Sequence, residues 1–502
     1  MVCGVNKAPS DCKPIGIVGP DIVAELFIAA VVAFCKMIKS ILYLSCLGSA
    51  VLALPSPVEN VRVERAAAIQ AIPAKIIKQS QLDNVLAGLK GDAEELTLGA
   101  SALADVISAI VPGPSPDDIA SEISSVASVY KANPTAFFEN AATLVLNGLA
   151  PKGLINDYIA ETSIVNSDKN SNPRAASPAV YPKKSPLDAP YSVDENTLRS
   201  ALYIPKEFSY GKVRPCIFVP GTGATAGSNF LPNLGKIFTG SDYADPVYLN
   251  IPKFQLDDIQ INAEFVAYAI NYISAISGNK NVSVVSWSAG SIDTVWAHQY
   301  WPSTIGVTSD LVSISGDRHG TVLAYLLSPA FPKVPSTPAI IQQQYNSKFI
   351  QTLRNGGGAS AYVPTTSIYS IFDEIVQPQA GPNASAFVRD DRNVGATNIE
   401  IQETCTVLQP GGTLYAHEGV LYNALAVAAT IDALTHEGPA DLKRIDVPKV
   451  CREIADPRLS IVDVLATEAL IPIAALEIAA YNPKVSDEPP IKPYAQKDVP
   501  RA

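Results

Sequence analysis

Charge is scarce in this chain. Only 17% of its 502 residues are Asp, Glu, Lys or Arg, and the formal balance is −11. That argues against binding nucleic acid or an anionic membrane through a general basic field. Histidine is scarcer still, with four copies. Neither H-E-x-x-H nor C-x-x-C occurs, so no metal site and no cofactor are expected. A glycine loop is present, but no P-loop Lys and no G-x-G-x-x-G accompany it, which removes the nucleotide-cradle reading. Cysteine is thin outside the N-terminus. Cys3, Cys12, Cys35 and Cys46 precede residue 47, and only Cys216, Cys405 and Cys451 follow. Cys216 lies in a strand-like run and reads as a buried free thiol, which leaves Cys405 and Cys451 as the pair.

What is present divides into three parts. Residues 1–53 read as an N-terminal extension and a secretory signal. Lys36 and Lys39 suit the basic start, Ile41 to Val51 the apolar stretch, and Val51-Leu52-Ala53 the cleavage site. A membrane anchor built from both apolar runs is the rival reading, and the lysines interrupt it. Residues 54–185 carry helical spacing at Leu82, Val85, Leu86 and Leu89, and again at Ile119, Ile123, Val126 and Val129. They contain no His and no Cys and read as a helical pro-region. A permanent accessory domain is the alternative. The polar stretch Asn166–Lys184 ends this part as a linker, with Arg174 and Lys183-Lys184 as possible cleavage points.

From 186 to 502 short β-rich runs alternate with helical ones. Strands are expected at Cys216–Val219, Val282–Val285, Leu311–Ile314 and Ser367–Ile371, and helices at Asn262–Ala275 and Ser291–Gln299. That alternation points to one α/β domain with a mainly parallel sheet flanked by helices. A secreted, extracellular protein is expected, and a monomer.

One stretch carries chemistry. Val282-Ser283-Val284-Val285-Ser286-Trp287-Ser288-Ala289-Gly290-Ser291 is a β-branched run ending in a small-X-Ser-X-Gly turn. A nucleophile elbow has this layout, with Ser286 where the first glycine usually stands. Ser288 is then the candidate nucleophile. It needs a base, a group that orients the base, and donors for an oxyanion. The chain order Ser, acid, His selects His417, on a loop after Gly411-Gly412. His298 is too close to the elbow, His319 precedes the best acid, and His436 ends an Ala-rich helical run. The acid should follow a strand, and Asp373 does so after Thr365–Phe372, with Glu374 as the fallback. The oxyanion donors are expected from Ala289, just after the nucleophile, and from the loop Val219-Pro220-Gly221-Thr222-Gly223.

Taken together, several segments resemble fungal lipases of the Candida antarctica lipase B type, an α/β-hydrolase family. They are Phe218–Gly223, Ser286–Gly290, Ser315-Gly316-Asp317 with Gly320–Ala324, Leu353–Gly356, Val363–Thr366 and Asp373–Gln379. The resemblance covers roughly 186–496. It implies Ser288 as nucleophile, Asp373 as orienting acid and His417 as base, with Thr222 and residue 289 forming the oxyanion hole. It implies that Asp317 and Gln343 lie near the active site, that Trp287 and Ile375 line the substrate pockets, and that Cys405 and Cys451 are bonded. The family has Gln where this chain has Ala289, and a backbone donor survives that change. Ser460–Ala480 resembles a helix flanking the family's active-site mouth, and Pro472 should kink it. The expected activity is hydrolysis of carboxylic esters such as acylglycerols, at a lipid–water interface, with acyl transfer by the same steps. The alternative is a non-catalytic secreted protein on a hydrolase scaffold.

Overall fold

The computed structural model describes residues 103, 106–134, 136–153, 155, 164–328 and 331–501. The expected leader and the first helical spacing, Leu82 to Leu89, lie outside the described residues.

Seven strands form one sheet: β1 (Leu202–Tyr203), β2 (Pro215–Val219), β3 (Asp245–Leu249), β4 (Val282–Trp287), β5 (Thr308–Ile314), β6 (Thr365–Tyr369) and β7 (Ala396–Glu400). Their spatial order is β1-β3-β2-β4-β5-β6-β7. Only the β1–β3 pair is antiparallel. Every residue of β2 and β4 is buried, as expected for parallel strands covered on both faces. The period of two then divides their side chains. Ile217, Val219, Val282 and Val284 enter one apolar cluster, while Cys216, Phe218, Val285 and Trp287 enter the other. In the second cluster Phe218 stacks on Phe230 at 4.4 Å and on Phe238 at 5.7 Å. Burying each such ring contributes about 2–3 kcal/mol relative to leaving it in water.

The helices that bear on the site are α1 (Ile119–Ala132), α2 (Phe137–Leu146), α3 (Ile259–Ile276), α4 (Gly290–Tyr300), α5 (Ala424–Thr435), α6 (Ile461–Glu468) and α7 (Leu470–Ala480). α3 and α4 cover the first face, and α5 covers the second. The fold is thus an α/β sheet sandwich of the expected class. β2 runs on to β3 on one side, whereas β4 and its successors lie on the other. The C-terminal ends of β2 and β4 therefore meet where strand order reverses, the usual location of a site in such sheets.

The expected strand Ser367–Ile371 begins and ends two residues earlier. A turn in which Asp373 N–H donates to the Ser370 carbonyl (3.2 Å) takes over after Tyr369. Ser460–Ala480 is two helices rather than one kinked rod. The break falls at Ala469, and Pro472 sits in the first turn of α7, where its missing N–H costs little.

α1 buries Ile123, Val126 and Val129, the spacing read from the sequence. Its N-cap Asp118 accepts from Ser121 N–H at 2.9 Å. Together α1, α2 and Leu103, Val106, Ile107 and Ile110 share an apolar cluster with Ala416 and with Ile471, Ile473 and Leu476 of α7. The polar stretch 166–184 is tied down by side chains of the sheet domain. Asn250 Nδ2 donates to the Val165 and Ser167 carbonyls at 2.6 and 3.0 Å, and Tyr272 O–H donates to the Arg174 carbonyl at 2.7 Å. Cys405 and Cys451 form a disulfide, and Cys216 is a buried free thiol. No helix among the described residues is long and apolar enough to cross a membrane.

Candidate active site

Ser288 follows β4 directly and has φ +55°. A non-glycine residue in this left-handed region is strained, and the strain must be held by its surroundings. The hold is visible. Ser288 N–H donates to the Ile314 carbonyl of β5 at 3.0 Å. Behind it, a Cβ on Gly290 would stand 2.5 Å from the Pro220 carbonyl and 2.6 Å from that of Val219. The second small position of the elbow is therefore obligatory. The first is not. Ser286 fits because its Oγ meets Ser291 Oγ at 3.1 Å and donates to the Val312 carbonyl at 3.3 Å. Ser313 Oγ donates to Ser291 Oγ at 2.7 Å and completes a buried hydroxyl chain.

The loop after β2 lies against the elbow. A Cβ on Gly221 would come within 2.9 Å of Ser288 Cβ and 2.5 Å of the Trp287 ring. Asn229 Oδ1 accepts from Gly221 N–H (2.9 Å), and Gln255 Nε2 donates to the Pro220 carbonyl (2.6 Å). Gln343 Nε2 donates to Thr222 Oγ1 at 3.0 Å. Ala289 heads α4, where backbone N–H groups lack intrahelical partners. Gly223 has φ +74°, and a Cβ there would strike Ala474 of α7 at 2.8 Å. So α7 packs directly on the loop that carries Thr222.

His417 is buried, and its Nδ1 meets Asp373 Oδ2 at 2.7 Å. The other carboxylate oxygen of Asp373 accepts from Ile375 N–H (2.9 Å) and Val376 N–H (2.7 Å). Asp373 is thus fixed by its own turn and aims one oxygen at the ring. Nδ1–H donating to the carboxylate leaves the Nε2 lone pair available, and Nε2 is buried without a hydrogen-bond partner. The backbone of His417 is gripped as well. Its carbonyl accepts from Trp287 Nε1 (3.2 Å) and Ser315 Oγ (2.9 Å), and its N–H donates to Glu374 Oε2 (2.9 Å). The Trp287 and His417 ring centroids are 4.6 Å apart, which sets the imidazole beside the elbow.

The other histidines are elsewhere. His298 is buried against Thr304, and burial pushes its imidazole down to about 3. His319 bonds the Ser385 carbonyl, and His436 pairs with Asp432 near the surface. Asp317 is fully buried, and desolvation, aided by the Asp373 charge, pushes it up to about 8. Ile375 and Glu374 line a small cleft of about 30 Å³ together with Leu323, Leu326 and Leu327 and with Tyr130 and Phe137 of the N-terminal helices. Asn229 and Gln255 also hold site residues, yet no sequence motif marks them, since their partners Gly221 and Pro220 lie 8 and 35 residues away. No group of His, Cys, Asp and Glu among the described residues could hold a metal ion.

No protein-family model matches the chain. Lipase B of Pseudozyma antarctica is 32% identical over 327 residues, which span 64% of this chain and 91% of that protein. The crystal structure of Aspergillus fumigatus lipase B is similar at a TM-score of 0.74 and 43% identity, over 82% of this chain and 99% of that one. With this sheet, this elbow and these relatives, the chain belongs to the lipase B-type fungal lipases, carboxylic ester hydrolases of the α/β-hydrolase fold.

Proposed function

We propose that this enzyme hydrolyses esters such as acylglycerols through an acyl-enzyme on Ser288. The observation that carries this reading is the buried 2.7 Å contact of Asp373 with His417, alongside a serine held in left-handed geometry. In the first half-reaction Ser288 Oγ attacks the ester carbonyl while His417 Nε2 takes the hydroxyl proton. Asp373 keeps the other ring nitrogen protonated and stabilises the imidazolium. His417 then returns the proton to the departing alkoxide. In the second half-reaction water repeats the attack and frees the acid. An alcohol in place of water gives acyl transfer.

The oxyanion is met by the Ala289 N–H and by the N–H and hydroxyl of Thr222. Ala289 serves as well as a longer residue, because the donor is the backbone. Gln343 sets the Thr222 hydroxyl. The disulfide Cys405–Cys451 supports an oxidising compartment, in keeping with secretion. A short-chain p-nitrophenyl ester tests the reading. Ser288→Ala should lower kcat by roughly 10⁴-fold or more. Wild-type turnover by that variant would refute the assignment.

A further inference from the structure

Two consecutive acids hold His417 at two points. Asp373 takes the ring, and Glu374 takes the backbone N–H of the same residue. Glu374 is half-buried, and its second carboxylate oxygen is enclosed without a partner. It faces further acids. Glu418 follows His417 in the chain, and Glu468 ends α6. Glu418 and Glu468 are both buried, and the second oxygen of each, like that of Glu374, has no partner. Tyr130 of α1 donates to Glu418 Oε1 at 3.1 Å, and Tyr422 donates to Glu468 Oε1 at 2.6 Å. Glu122 of α1 acts on Glu468 through its charge. Among the described residues no Lys or Arg forms an ion pair or hydrogen bond with Glu374, Glu418 or Glu468.

Buried carboxyls this close, with no cation among them, cannot all ionise. Protonation also relieves the enclosed carboxylate oxygens that have no donor. Burial, then the neighbouring Glu418 and Asp373, hold the Glu374 carboxyl well above the ordinary carboxylate range. Burial and Glu468 do the same to Glu418.

On these contacts, and resting on the acyl-enzyme reading above, we infer that Glu374 is a positioning residue for His417 that works in its protonated form, kept so by Glu418 and Glu468. As a neutral acid it accepts the His417 N–H without setting a second charge against Asp373. When Glu374 loses its proton at higher pH, it becomes a second negative charge beside Asp373 at the His417 contact. Repulsion then draws the imidazole out of line. Activity falls on the alkaline side, in kcat rather than KM.

The test is a pH–rate profile on the full chain with a soluble short-chain ester. Glu374→Gln keeps an acceptor and cannot ionise. It should hold kcat within about threefold of wild type at mildly acid pH and move the alkaline limb up by about one pH unit. Glu374→Ala loses the acceptor and should lower kcat about tenfold with KM little changed. Glu418→Gln with Glu468→Gln removes the acids that keep Glu374 protonated and should move the same limb downward. If the Ala variant does not fold by circular dichroism, the two Gln sets decide. An alkaline limb unmoved in both, or an Ala variant with wild-type kcat, overturns the inference. Fluorophosphonate labelling of the wild type is read in parallel. Labelling with an unmoved limb rejects the role of Glu374 alone, whereas no labelling rejects the acyl-enzyme reading itself.

Discussion

At the scale of single residues, the site depends on positions where geometry admits one side chain. Gly290 is the sharpest case, because any Cβ meets two carbonyl oxygens at 2.5–2.6 Å. Gly290→Ala should force β2 and the elbow apart, costing about 1–3 kcal/mol and most of the esterase activity. A melting curve and a turnover assay check both, and an unchanged variant would mean the contact is softer than drawn. Ser286 shows the opposite: a side chain where the motif carries glycine, absorbed by neighbouring hydroxyls. The sequence marked Ser288, Asp373 and His417, since a tight turn and a fixed order leave local traces. Glu374 was read only as a substitute for Asp373. Its bond to His417 spans 43 residues, and no local pattern reports such a contact.

Elements were legible where burial imposes a period. β2 and β4 are uninterrupted apolar or small runs, and α1 repeats every three or four residues, so all three stand near their expected places. Boundaries were less legible. β6 ends early because the Ser370–Asp373 turn competes with extension, and the α6–α7 break precedes Pro472 rather than occurring at it. The stretch 166–184 looked like a linker because its composition is polar, yet its backbone carbonyls are donated to by Asn250 and Tyr272. The disulfide belongs to this scale. It ties the short helix after β7 to the segment following Val447–Val450, with a sequence separation of 46. Closing a loop of that length stabilises the fold by about 4 kcal/mol on the chain-entropy account. The double variant Cys405→Ala with Cys451→Ala should therefore melt well below wild type, while its Ser288 chemistry persists at low temperature. An unchanged melting point would count against that estimate.

For the whole molecule, buried acids set how stability follows pH. Glu122 is pushed up to about 8 by burial, and Asp317 to about 8 by burial and then Asp373. Their ordinary values are 4.5 and 3.8. A raised carboxyl contributes stability that is full below its unfolded value and is lost as pH rises through the folded one. His298, pushed down to about 3 from 6.5, acts in the other direction, losing its contribution only as pH falls below 6.5. Between pH 6.5 and 8 the buried acids therefore dominate, and the melting temperature should fall with rising pH. Glu122→Gln with Asp317→Asn should flatten that slope, and a slope of opposite sign in the wild type would contradict the account. Glu122 lies on α1, so the N-terminal helices share in this dependence as well as in the cluster with α7.

The central claim is that Ser288 is the activated nucleophile of the set with His417 and Asp373. Fluorophosphonate treatment followed by peptide mapping tests it most directly. The account predicts one modified site, on the peptide carrying Ser288, with labelling slowed strongly in His417→Ala. An unmodified Ser288 in folded protein, or equal labelling without His417, would contradict it.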